Sequence, residues 1–198
     1  MSAPLRAESL RVLIADDESI RLLSLGSQLT ALGHQVVAEA TRGDEAVQLA
    51  AEHKPDLAIL DIKMPVMDGI EAAERITQVR PIPIILLTAY SEAQLVERAA
   101  RANISAYLMK PVAEDDLLPA ITLALTRFQE FESLRREVAD LREAMEARKV
   151  VEKAKGILMR RLDLSEEDAF KRLQKQSQDT NRKLTDVAEA IVMADRMF

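Results

Sequence analysis

The sequence predicts an α/β fold, a doubly wound parallel sheet of five strands, followed by a long helical connector and a small all-α domain of three helices. Three observations predict this. Five short aliphatic runs, at 12–15, 35–40, 57–60, 82–88 and 105–109, alternate with stretches of helical period. Polar residues cluster where those runs end. Beyond residue 114 the chain turns helical throughout, with Pro119 its one proline and Gly156 its one glycine up to Leu162.

In order, VLIA, QVVAEA, LAIL, IPIILLT and SAYLM are each four to seven residues long, as buried parallel strands are. Ile20, Leu23, Leu29 and Leu32 mark the inward face of the first helix, with Gly33 as its stop. Ala46, Leu49 and Ala50 mark the second, opened by Gly43-Asp44, and Ser91-Glu92 opens a later one. Strands alternating with helices imply βαβ units with helices on both faces of the sheet. Two units follow a first domain over 1–127: a helical connector over 128–147 and a terminal domain over 148–198.

Composition narrows the function. With 48% hydrophobic and 30% charged residues the 198-residue chain can bury a real core. It has no cysteine and two histidines, which excludes disulfides and cysteine-ligated metals and makes a histidine cluster untenable. No signal-peptide pattern and no long apolar run occurs, so a soluble, cytoplasmic protein without membrane contact is expected. Residues 1–147 hold 15 Lys and Arg against 24 Asp and Glu, and residues 148–198 hold 12 against 9. An acidic body thus carries a mildly basic tail.

In a parallel sheet, functional groups gather at the carboxyl ends of the strands. There the sequence places Asp16-Asp17, Asp61, Thr88 and Lys110-Pro111. Carboxylates packed together raise one another's pKa unless a cation sits among them. Oxygen-only ligands point to Mg²⁺, and a nearby lysine and hydroxyl are what a transferred phosphoryl group needs.

ADDE (15–18), DIKMPVMDG (61–69), LLTA (86–89) and YLMKP (107–111), in this order and spacing, resemble the receiver domains of two-component response regulators across residues 10–127. The resemblance implies the flavodoxin-like fold and a sensor histidine kinase as phosphodonor. It makes Asp61 the phosphoacceptor, with Asp16, Asp17, Asp61 and the Lys63 carbonyl around Mg²⁺. Thr88 and Lys110 would engage the phosphoryl oxygens, Tyr107 would be a switch aromatic, and the Lys110–Pro111 bond would be cis. Ala113 departs from the family, where a Ser or Thr is common.

Along the connector, Phe131, Leu134, Val138, Leu141 and Met145 step by three and four, a short coiled-coil seam. It would pair with a second chain, as a homodimer, or fold back on its own body; the dimer is favoured. In the tail, Ala147, Val150, Val151, Ala154, Ile157 and Leu158 share one helix face, and Lys149, Lys153, Gly156 and Arg160 the opposite one. Mid-helix glycine costs about 1 kcal/mol relative to alanine, so Gly156 marks a gap in a row of cations where a ligand could approach the helix backbone closely. Ser165 is a helix cap with Asp168 three residues on, and Thr185 is expected to cap the last helix.

AKGILM, SEEDAF, RLQKQS and NRKLTDVAEAIV look like the ANTAR domain, across residues 140–195. That resemblance implies a transcription antiterminator binding paired, structured RNA hairpins. Lys149, Lys153, Gly156 and Arg160 are the candidate contacts, then Asn181, Arg182 and Lys183; Ser177 and Thr180 serve either RNA or capping. With 3% aromatics there is no stacking platform for single strands. The alternatives are a DNA-binding regulator, against which the acid-rich last helix speaks, and a protein-interaction output. No catalytic constellation occurs in the tail, so no enzyme activity is expected beyond acceptance of the phosphoryl group.

Overall fold

The computed structural model describes residues 9–89 and 104–195. The chain divides into two compact units, Met1–Phe131 and Glu132–Phe198. The first contains the strands β1 (Arg11–Ala15), β2 (Gln35–Ala40), β3 (Leu57–Asp61), β4 (Ile84–Thr88) and β5 (Ala106–Met109). They form one all-parallel sheet in the order β2-β1-β3-β4-β5. The helices α1 (Ser19–Ala31), α2 (Gly43–His53) and α3 (Gly69–Val79) connect strands, and α4 runs from Glu114 to Leu162.

Alternate strand residues point to opposite faces, and the core splits accordingly. Leu13, Ala58, Leu60, Ile84 and Leu86 meet Ala46 and Ala50 of α2 and Ile70, Ala73 and Ile76 of α3. Val12, Ile14, Ile59, Ile85 and Leu87 meet Leu22, Leu25 and Leu29 of α1 and Leu117, Ile121 and Ala124 of α4. Both faces are covered, so β1, β3 and β4 are near-continuous apolar runs that end in polar residues at the sheet edge.

The structure corrects the expected face of α1. Ile20 is 81% and Leu23 70% exposed, and the buried positions are Leu22, Leu25 and Leu29. Leucines and isoleucine surround the first turns of this helix, so spacing alone allowed two faces. Gly33, at φ 85, closes α1 as expected: its N–H reaches the Thr30 carbonyl and the His34 N–H the Leu29 carbonyl. β4 begins at Ile84, two residues late, because Pro81 and Pro83 lack the N–H a ladder needs. Ser91 and Glu92 lie outside the described residues.

In the second unit, α5 (Glu166–Thr180) and α6 (Leu184–Asp195) pack on the end of α4. The core is small: Ala154, Leu173, Val187 and Ala188, with Val150, Val151 and Leu158 partly buried against it. Ser165 caps α5 as expected, its hydroxyl accepting the Asp168 N–H at 3.1 Å. Thr185 does not cap α6. The first helical bond runs from the Val187 N–H to the Lys183 carbonyl, which puts Thr185 inside the first turn. The seam residues Phe131, Leu134, Val138, Leu141 and Met145 are all exposed. No helix among the described residues is long and apolar enough to cross a membrane.

Candidate phosphoryl site and basic helix face

Four strand ends build the first site. Asp16 and Asp17 follow β1, Asp61 ends β3, Thr88 ends β4 and Lys110 follows β5. Oxygens of Asp16, Asp17 and Asp61 lie within 4.8 Å of one another. Asp16 is 1% and Asp61 4% exposed, and Asp17 faces solvent. The Lys110 Nζ bridges the two buried acids, 2.7 Å from Asp16 and 2.6 Å from Asp61.

Burial pushes the Asp61 carboxyl above its ordinary range, the hydrogen bond and charge of Lys110 oppose this, and Asp16 adds to the rise. The backbone N–H of Lys63 also donates to Asp61. Such a cluster of hard oxygens, one of them open to solvent, fits a divalent cation of the Mg²⁺ type. An open groove of about 470 Å³ beside it is lined by Asp17, Lys63, Pro65 and Asp68.

The loop after β3 is held by backbone requirements. A Cβ on Gly69 would overlap the Asp61 carbonyl, and one on Gly43 the Met67 carbonyl, so neither position admits a side chain. Asp68 caps α3, accepting the Glu71 N–H at 2.8 Å. Between them Val66 sits at φ 71, with the Met67 N–H bonded to the Pro65 carbonyl. That is a γ-turn of positive φ, a strained conformation for a β-branched residue.

Other expected residues are placed as follows. The Thr88 hydroxyl donates to the Ala89 carbonyl at 3.2 Å. Tyr107 is exposed on β5, its hydroxyl pushed up in pKa by partial burial. The Lys110–Pro111 bond is cis, as the receiver resemblance implied. Arg21 was not anticipated. Its guanidinium lies 3.4 Å from Asp16 and 2.6 Å from Glu18, a contact between a helix turn and a strand end that spacing alone does not reveal.

On α4, Lys149, Lys153 and Arg160 are exposed and Gly156 is partly exposed, on the side away from the core. The row is not wholly free: Lys149 pairs with Glu146 at 2.7 Å. A Cβ on Gly156 would meet only the Arg160 Nη1, at 3.6 Å, so Arg160 lies across the gap. Lys155 was also missed. Its Nζ lies 2.9 Å from Glu152, 2.7 Å from Glu166 and 6.0 Å from the centre of the Phe170 ring, which pins α4 to α5.

Asn181 has a backbone task, closing α5 at φ 51, a conformation asparagine tolerates. Ser177 donates to the Arg182 carbonyl and Thr180 to the Gln176 carbonyl, both at 2.6 Å, which favours capping for these hydroxyls. Arg182 and Lys183 are exposed.

Comparison with known proteins agrees with this division. The family described as "Response regulator receiver domain" matches residues 12–122, and that described as "ANTAR domain" matches 139–192. The transcriptional regulatory protein PdtaR of Mycobacterium tuberculosis is 48% identical over 182 residues, covering 92% of this chain and 89% of its own. The chemotaxis protein CheY of Bacillus subtilis is 38% identical over 116 residues, 58% of this chain and 97% of its own. Among solved structures, the receiver domain of a modulated diguanylate cyclase from Desulfovibrio desulfuricans superposes with a TM-score of 0.58. It is 35% identical and covers 62% of this chain and 98% of its own. CheY in a CheX–CheY–BeF3–Mg complex from Borrelia burgdorferi gives 0.53 at 29% identity, covering 56% and 85%.

Proposed function

Because this chain belongs to the response regulators that join a receiver to an ANTAR domain, we propose that it is a phosphorylation-controlled regulator that binds structured RNA in nascent transcripts and prevents termination. The observation that carries the first half is Lys110 clamped between Asp16 and Asp61. One carboxylate of that set is to act as nucleophile, and Asp61 is the one centred at the sheet edge, with its pKa raised. Phosphoryl transfer from a sensor histidine kinase would break the P–N bond of the donor and form a P–O bond on Asp61.

Bound Mg²⁺ would supply the charge that holds the phosphoryl oxygens, with Asp16, Asp17, Asp61 and the Lys63 carbonyl as its ligands. Lys110 would leave its present bridge to meet an oxygen of the phosphoaspartate, and the Thr88 hydroxyl, bonded to its neighbour's carbonyl, would turn toward another. Tyr107 would follow Thr88 as the switch. Use of a BeF3 and Mg mimic follows the complex described for the related CheY.

The cations Lys149, Lys153 and Arg160, with Gly156 between them, support the RNA half, joined by Arg182 and Lys183. The exposed seam from Phe131 to Met145 supports pairing with a second chain, which would present two such faces to two hairpins. The test is binding of a labelled two-hairpin RNA against duplex DNA of equal charge, across salt, with and without the beryllofluoride mimic, beside Gly156→Leu. RNA preference that strengthens with the mimic and falls in the leucine variant is expected. Equal binding of both nucleic acids, unchanged by Gly156→Leu, overturns the reading. Sedimentation with and without the mimic tests the dimer, which an unchanging monomer would sink.

A further inference from the structure

Within the second unit a groove of about 320 Å³ opens between α5 and α6. Its apolar floor is Leu158, Leu173 and Val187, and two exposed alanines, Ala190 and Ala194, keep one wall low. Leu158 lies on the face of α4 turned toward the core, so this groove is separate from the Lys149–Arg160 row.

Its rim is charged in one sense. Arg172 and Arg182 both line the groove, both are exposed, and among the described residues neither has a carboxylate partner. Neighbouring cations do: Lys171 is held by Glu167 at 2.6 Å and Arg161 by Asp195 at 2.8 Å. Gln176 adds an exposed amide, a donor and an acceptor together.

We propose that this groove receives one unpaired nucleobase of an RNA loop. The claim rests on the RNA-binding reading above and deepens it, by naming where sequence would be read. A base offers two apolar faces and a hydrogen-bonding edge, with an anionic phosphate attached. The groove offers an apolar floor, an amide for the edge, and two guanidinium groups for stacking and charge. RNA-binding proteins stack unpaired bases on guanidinium planes as well as on aromatic rings, and this groove has arginines and no aromatic lining residue. The volume is at the lower end of small-ligand clefts, about 300–1,000 Å³, too small for a partner helix about 10 Å across. A symmetric contact between two copies here would bring four guanidinium groups together, which disfavours that occupant.

The experiment uses the full chain and a pool of two-hairpin RNAs with randomised loops. Wild type is expected to enrich one base at one loop position. Ala190→Leu, which fills the groove with a good helix former and alters no charge, is expected to lose that enrichment. Its affinity for the enriched RNA should fall about 5- to 140-fold, the loss equivalent to the ~1–3 kcal/mol of one stacked base. Arg172→Ala should lose the same enrichment, and covers the case in which the leucine variant fails a circular-dichroism check. An abasic nucleotide at the selected position should remove the difference between wild type and variants. Enrichment and affinity unchanged in Ala190→Leu and Arg172→Ala would overturn the groove while leaving RNA binding intact. A sedimentation change in Ala190→Leu with RNA selection unchanged would overturn it in favour of a second copy. Wild type that retains no RNA would instead sink the RNA-binding reading itself.

Discussion

Among the described residues each unit contains a lysine drawn between two carboxylates, and the two lysines, Lys110 and Lys155, do different work. Lys110 lies 2.7 and 2.6 Å from Asp16 and Asp61, acids that are buried and arrive from separate strands. Lys155 lies 2.9 and 2.7 Å from Glu152 and Glu166, whose side chains are 54% and 69% exposed. The lysine contact lowers Asp61 and Glu166 alike, yet their net shifts run in opposite directions. Asp61 is raised, since burial outweighs its lysine. Glu166 is lowered, since water already solvates it and the hydrogen bond to Lys155 dominates. Buried acids hold charge that folding alone would not choose, which is the mark of a site; a lysine set between two solvated glutamates is a fastener between helices.

Two glycines sharpen that contrast most. Gly69→Ala should destabilise the first unit by about 3 kcal/mol or more, because the new Cβ overlaps the Asp61 carbonyl backbone. Gly156→Ala, with only a movable arginine nearby, should stabilise by about 0.5–1 kcal/mol. Urea denaturation measures both, and equal effects would erase the distinction between a glycine required by its surroundings and one left open on a surface.

Lysine removal comes next. In magnesium-free buffer Lys110→Met should cost about 3 kcal/mol, since it leaves the buried Asp61 without its cation and Asp16 with the half-exposed Arg21 at 3.4 Å. Lys155→Met leaves two solvated glutamates, and should cost less than Lys110→Met, since water already carries both of those charges. A larger loss for Lys155→Met would mean the second unit depends on its fastener more than on its small core.

The pH dependence of Asp61→Asn follows from the direction of the shift. A raised carboxyl pKa favours folding below the unfolded value, about 4, and that contribution is lost as pH rises through the folded pKa. At pH 7 the asparagine variant should therefore melt a few degrees above wild type, and the gap should close toward pH 4. Thermal melts at both pH values check it; a variant less stable at pH 7 would mean Lys110 outweighs burial.

A modest effect should come from the strained loop. Val66→Gly relieves a positive φ, and should add about 1 kcal/mol by urea denaturation without moving Asp61.

Strand ends were legible in the sequence because a parallel sheet delivers every strand end to one edge, so Asp16, Asp61, Thr88 and Lys110 could be grouped before any coordinate. The helix α4 was legible over its full length, from Glu114 to Leu162, since nothing inside it breaks a helix except an early proline. Contacts between elements were not. Lys155 reads as one more surface cation until Glu166, on the next helix, is seen beside it. Gly69 reads as a turn residue until the Asp61 carbonyl is found against it. The burial of α1 turned on Leu22 and Leu25, which a helix apolar on several sides does not single out.

Tyr107, exposed on β5, has a spectroscopic consequence. The chain has no tryptophan and two tyrosines, Tyr90 and Tyr107, both within the unit Met1–Phe131. Tyrosine emission from the intact protein therefore arises within the receiver unit. RNA has no comparable emission, so a change in tyrosine fluorescence on adding it would be a label-free reading of communication from one unit to the other.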